Sequence, residues 1–245
     1  MSAMRSVAKR ELRSYFSTPL ALVFIVIFLV LAGSFAFYVG GFFERGQANL
    51  DAFFVFHPWL YLFFIPAVAM RLWAEERKSG TIELLLTLPI PFSAAVLGKY
   101  LAAWIFAGIA LALTFPLWIT VNYLGDPDNG VILAGYLGSW LMAGGYLAIG
   151  MAMSAVTRSQ VVAFVLGAAL SFLFTVSGLP MVLSFLEGWL PAFFVNMIAG
   201  FSFLTHFEQI SKGILDAKDV FYFASVIALW LFVTTLIVDT KREAG

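Results

Sequence analysis

The stretch AEERKSGTIELLLTLP, residues 74–89, stands apart from the chain around it. It holds five charged residues, Glu75, Glu76, Arg77, Lys78 and Glu83, beside a leucine-rich run, with long apolar segments on either side. The 245-residue chain is 62% apolar and 11% charged, with a mean hydropathy of +0.96. A water-soluble domain cannot cover that much apolar surface, and apolar runs of this length read as membrane spans. The charged stretch therefore sits on one side of a bilayer, between a span arriving there and a span leaving. Zero cysteines exclude a disulfide framework, a Cys-ligated zinc and an iron–sulfur cluster. A net charge of zero gives no general polyanion-binding surface, and no nucleic-acid partner is expected.

Working outward, residues 4–16 (MRSVAKRELRSYF) place Met4, Val7, Ala8, Leu12, Tyr15 and Phe16 on one helical face and Arg5, Lys9 and Arg13 on the other. A basic amphipathic helix of this kind lies in the headgroup plane, an elbow before the first span; the plainer alternative is a charged flank. A charged segment ahead of a span-length run also reads as the absence of a cleavable signal. Ser17–Thr18–Pro19 supplies a cap and a first-turn proline. Spans are expected at 20–43, 53–72, 93–121, 131–156, 161–186 and 220–238, the second kinked by Pro58 and Pro66. Residues 187–212 are ambiguous. Within them, residues 188–207 are as long as a span but carry Pro191, Asn196, Gly200, Thr205 and His206, and read as a broken, re-entrant or interfacial hairpin. Small residues recur every four positions at Ala32, Ala36 and Gly40, at Gly144, Ala148 and Ala152, and at Ala163, Gly167, Ser171 and Thr175, which favours close helix packing.

Lys and Arg set the orientation. With the N-terminus inside, eleven of the fourteen fall on the cytoplasmic side, whether the chain has six spans or seven. Charge thus fixes the N-terminus but leaves the span count open.

Several chemistries are missing. No predicted span carries an ionisable residue near its middle, which counts against an ion-coupled transporter. A phosphate-binding loop needs Gly-Lys-Ser/Thr after a glycine-rich turn. Here Gly98-Lys99 is followed by Tyr100, with Ser93 in place of the earlier glycine, so the chain cannot hydrolyse ATP alone by that route. Ser139 in LGSW could serve an intramembrane protease only with a histidine at its own depth. His57 reads at the outer end of the second span and His206 in the hairpin, so Ser139 is assigned to a helix–helix contact or an interfacial turn. The two histidines would ligate a haem or metal only if they met in space.

Within the opening stretch, Ser79, Gly80 or Thr81 caps a helix of about two turns over residues 81–88, which Pro89 and Pro91 stop. Ile82, Leu84, Leu85, Leu86 and Leu88 nearly encircle it, so this cytosolic helix either docks a partner or tucks against the bilayer. Residues 75–102, EERKSGTIELLLTLPIPFSAAVLGKYLA, resemble the coupling-helix region of type-2 ABC exporter permeases. The matching positions are Glu75, Glu76, Gly80, Thr81, Glu83, Leu84, Leu85, Pro89, Gly98 and Lys99, in wording closest to the gliding-motility-type permeases. The resemblance extends to the elbow, the span count and the hairpin.

It implies an all-α polytopic membrane protein, one permease domain over residues 1–245. Six transmembrane helices would accompany an N-terminal elbow helix, a short cytoplasmic coupling helix and an extracellular re-entrant hairpin before the last span. It further implies a half-transporter in a bacterial inner membrane with both termini cytoplasmic. A second permease copy would be its partner in the bilayer, and a separate ABC ATP-binding subunit would carry the ATP and Mg; no cofactor is expected on this chain. ATPase coupling would fall to Glu75, Glu76, Arg77, Lys78, Gly80, Thr81, Ile82, Glu83, Leu84 and Leu85, and the membrane-surface elbow to Arg5, Lys9 and Arg13. A periplasmic accessory protein is a further partner of such assemblies. The alternative is a force-transmitting scaffold of an envelope complex that moves no solute. The cargo is not readable.

Overall fold

The computed structural model describes residues 2–81 and 91–243, which are helical throughout their regular parts, with no strand among the described residues. In chain order the helices are α1 (Ser2–Ser17), α2 (Pro19–Ser34), α3 (Asp51–Phe54), α4 (His57–Ala69) and α5 (Arg71–Ser79). They continue with α6 (Phe92–Ala112), α7 (Phe115–Leu124), α8 (Asn129–Val156), α9 (Gln160–Val176), α10 (Pro180–Glu187), α11 (Ala192–Ala199), α12 (Phe203–Ser211) and α13 (Ala217–Glu243). A π-helical turn, Phe35–Val39, prolongs α2. The greater part of the predicted coupling helix, including Ile82, Glu83, Leu84 and Leu85, lies outside the described residues.

Helix α8 is the pillar. Asp128 caps it by accepting from the Gly130 and Val131 amides at 2.8 and 3.3 Å. It packs against α4, α5, α6, α9, α12 and α13. Its own small residues permit this: Gly144, Ala148 and Ala152 are all buried, as are Ala32, Ala36 and Gly40 before it and Ala163, Gly167, Ser171 and Thr175 on α9. Close approach then gives dispersion contacts that lipid tails cannot match. The stripe positions seen in sequence are the contact faces.

Among the described residues, four helical stretches are long and apolar enough to cross a membrane: Ala21–Val39, Phe92–Leu124, Asn129–Val156 and Ala217–Thr240. A fifth is possible if α9 and α10 count as one span, although they bend by 74°. The expected span at 161–186 is therefore not straight. Leu179, held extended (ψ 133°) by Pro180 behind it, ends the α9 direction, and α10 begins at Pro180, inside the expected span. The expected span at 53–72 is not one helix either. It is divided among α3, α4 and α5, with breaks at Val55–Phe56 and Met70 and with Pro66 inside α4.

On α1, Val7 is buried, Met4, Ala8, Leu12 and Tyr15 are half-buried and Arg5, Lys9 and Arg13 are exposed, while Phe16, expected on the apolar face, is exposed as well. The apolar face of α1 packs on α6, where Tyr15 stacks on Phe106 at 5.0 Å. A Cβ added to Gly98 would come within 2.8 Å of Val7, so only glycine lets the two helices meet there. The cap read at residues 17–19 is half observed: Pro19 starts α2, but the Thr18 hydroxyl donates back to the Tyr15 carbonyl at 3.0 Å instead of capping α2.

Candidate functional site

Helix α5 carries the charged half of the opening stretch. It ends at Gly80, whose left-handed backbone (φ 75°) is the usual glycine terminator, and Ser79 Oγ donates to the Glu75 carbonyl at 3.0 Å. Its start is stitched to the pillar by one hydroxyl. Ser154 Oγ of α8 accepts from the amides of Trp73 (3.1 Å) and Ala74 (3.0 Å) and donates to the Met70 carbonyl (2.8 Å). The break between α4 and α5 thus leaves these buried backbone groups satisfied.

Lys99 organises the centre. Its side chain is only 2% exposed, yet its ammonium lies 2.7 Å from Glu76 of α5 and 3.2 Å from Glu11 of α1, with the Trp73 ring 5.5 Å away. An isolated ammonium buried this deeply costs several kcal/mol, about, in lost hydration, so two carboxylates and an aromatic face are what make the position tenable. Burial alone would raise the Glu11 carboxyl, but the charges of Lys99 and Arg10 together hold it below its usual value. The three helices enclose a polar cavity of about 450 Å³, lined among others by Arg10, Arg71, Glu75, Glu76 and Thr81.

The predicted collar therefore divides. Glu76 turns inward to Lys99, and Glu75 is held by Arg71 at 2.8 Å. Arg77 donates to the Ala155 carbonyl at 2.7 Å; burial pushes its guanidinium below the usual value and the like charge of Arg158 adds to that. Lys78 stays exposed, and Thr81 sits 2.9 Å from Ser79 through their hydroxyls. Sequence reasoning counted Lys99 only as a cytoplasmic charge and a motif position. The signal that it is more was available: a lone lysine inside an apolar helix needs a carboxylate.

A second buried polar group was misplaced by sequence. Ser139 Oγ lies 2.8 Å from His57 Nδ1 and donates to the Tyr61 hydroxyl at 2.9 Å, so His57 does share its depth. All three side chains are buried, and they join α4 to α8 in the helix contact assigned to Ser139. The breaks around α4 brought His57 inward. His206 has partners of its own, Asp219 and the Gly200 carbonyl, so the two histidines do not form one ligand set.

With this geometry in view, a family model described as "ABC-2 family transporter protein" matches residues 5–238. The chain belongs to the ABC-2 transporter family. Members are membrane transport components, and the apolar helices make this one a multi-pass membrane protein. A relative named Heme exporter protein B, from Rhodobacter capsulatus, is 40% identical over 57 residues, 23% of this chain and 26% of the relative. The match thus spans about a quarter of that relative's length.

Proposed function

We propose that this ABC-2 family chain is the membrane permease subunit of an ATP-driven exporter, pairing with a second permease and with a separate ATP-binding subunit. The observation that carries the reading is the Lys99 junction. A displacement applied beyond Gly80 reaches α5, and Glu76 on α5 shares one ammonium with Glu11 on α1. The ATP-binding subunit grips the segment from Thr81 onward, through Ile82, Leu84 and Leu85. Glu75 and Lys78 face that partner, while Glu76 and Arg77 hold the grip to the permease body. In this reading α3 and α4, with the start of α5, complete a sixth crossing, α10–α12 form a re-entrant outer hairpin, and both termini are cytoplasmic in a bacterial inner membrane. ATP and Mg belong to the partner.

The test is co-purification with an ATP-binding subunit of the same organism, together with ATP hydrolysis by the assembled complex. Gly80→Pro plus Leu85→Asp abolishes association. Lys99→Met keeps association but uncouples ATP hydrolysis from transport. A complex that assembles and transports normally with all three changes sinks the proposal. Haem is the first cargo to assay in vesicles, because the matched relative is named a heme exporter.

A further inference from the structure

The polar cavity beside Lys99 has a position and a charge pattern that coupling to a partner does not require. Its walls come from α1, α5 and α6, and it encloses about 450 Å³, within the ~300–1,000 Å³ of small-molecule sites. Thr18 forms one edge, less than a helical turn before the apolar stretch Ala21–Val39 begins. Lys99 forms part of the floor and lies within the membrane-length stretch Phe92–Leu124. The cavity therefore sits where apolar helix gives way to polar chain, at the depth of lipid headgroups.

Both signs of charge line it: Arg10, Arg71 and Lys99 against Glu11, Glu75 and Glu76. Lys99 is spent on Glu11 and Glu76, but the pair on α5 is not saturated. Arg71 donates through Nε and Nη2 to the two oxygens of Glu75, at 2.8 and 3.3 Å, leaving three of the five guanidinium N–H groups. A carboxylate has about four acceptor sites, so Glu75 keeps two and can serve both a ligand and a partner. Arg71 is 26% and Glu75 48% exposed, so both are within reach. The neighbouring Glu76 has its Oε2 buried without a hydrogen-bond partner among the described residues, so this wall is short of a donor. We propose that the cavity binds the phosphoethanolamine headgroup of a membrane lipid, phosphate on Arg71 and primary ammonium on Glu75.

The alternatives fit less well. An anion alone would meet three carboxylates, and a cation alone three basic groups, and like charges brought together cost binding energy. A phosphate and an ammonium joined through two carbons answer both signs at once. Arg71 and Glu75 stand one helical turn apart, about 5.4 Å, a separation that such a short spacer can follow. The guanidinium fork suits two phosphate oxygens, and the ammonium donates to the carboxylate, both as charge-assisted bonds. A choline headgroup has no N–H to donate and is held instead by several aromatic rings, whereas Tyr15 is the one aromatic residue in this lining among the described residues. The edge at Thr18, next to the first apolar stretch, gives a lipid its way in from the bilayer.

Native mass spectrometry of the full chain in detergent tests this, with phosphatidylethanolamine, phosphatidylcholine and phosphatidylglycerol of identical acyl chains as probes. Phosphatidylethanolamine should bind about tenfold more tightly than the other two, the factor one charge-assisted hydrogen bond is worth. Methylating its nitrogen stepwise should weaken binding until the advantage is gone at the choline lipid. Arg71→Gln plus Glu75→Gln should remove the preference. Equal affinity for the three lipids overturns the proposal. So does phosphatidylglycerol binding as tightly as phosphatidylethanolamine, which would mark a plain anion site, and so does a preference that survives the double variant. Glycerophosphoethanolamine, which has the headgroup but no acyl chains, should fail to displace the lipid at equal concentration. Displacement would make the ligand a soluble zwitterion and overturn the lipid assignment. The methylation series uses the unsubstituted chain, so it decides even if the double variant does not fold.

Discussion

Helix α8 and the pair α10–α11 are similarly apolar by composition, yet they sit in opposite surroundings. Within its membrane-length window, α8 is 72% buried, whereas α10 buries no residue and α11 only Val195. Met181 and Phe185 on α10, Phe193 on α11 and Trp189 in the turn between them are each more than 65% exposed. The difference is residue size. On α8, glycine and alanine at four-residue spacing let six helices close in, while on α10–α11 large aromatics keep neighbours away. Apolarity marks what belongs in a membrane, and small-residue spacing marks what belongs inside the protein.

The largest effect that can test this contrast comes from the charge docked beside the pillar. Glu76→Ala leaves Lys99 short of a carboxylate and should cost about 3–5 kcal/mol, read as a fall in unfolding midpoint in detergent, with Glu76→Gln plus Lys99→Met restoring most of it. Gly145→Val follows, because an added Cβ meets the Phe203 ring at 2.6 Å; overpacking there should cost about 1–3 kcal/mol. Ser139→Ala leaves His57 Nδ1 without its buried partner, and about 1–3 kcal/mol of destabilisation is expected from the same measurement. On the exposed side, Trp189→Ser should stay within about 0.5 kcal/mol. A loss there as large as that of Gly145→Val would erase the distinction.

The smallest effect is a pH dependence. Since Glu11 has a lowered folded-state pKa, its stabilisation is present above the unfolded carboxylate value of about 4.3 and is lost as pH falls through the lower folded value. Protection of the α1 amides, taken relative to their intrinsic exchange rate at each pH, should therefore hold from neutral pH down to about pH 4 and fall only below it. Protection that falls from near pH 7 would mean that Glu11 is not what holds α1 at Lys99.

Much of this architecture was legible in the chain. The spans at 93–121, 131–156 and 220–238 lie within observed span-length stretches to within a few residues, because hydropathy and polar caps such as Asp128 agree there. The α1 pattern gave its buried and exposed faces, Phe16 apart. What stayed hidden depends on three-dimensional pairing. Pro180 and Met70 sit in apolar runs whose hydropathy hides the backbone turns they mark. Lys99 and Glu11 are 88 residues apart, and no spacing rule reports that they meet. The meeting of His57 with Ser139 likewise required the breaks around α4.

The stitch from Ser154 to Met70 has a mechanical consequence. With its start pinned there, α5 is a lever whose arm to Ser79 is about 13.5 Å, nine residues long. Glu76 rides some two-thirds of the way out, about 9 Å from the fulcrum. Its 2.7 Å contact with Lys99 reaches the 4 Å limit of an ion pair after a tilt of about 8°. Arg77, donating to the Ala155 carbonyl at 2.7 Å, ties the far part of α5 to the same pillar. The Lys99 contact and this bond would have to yield together before α5 could part from α1 and α6.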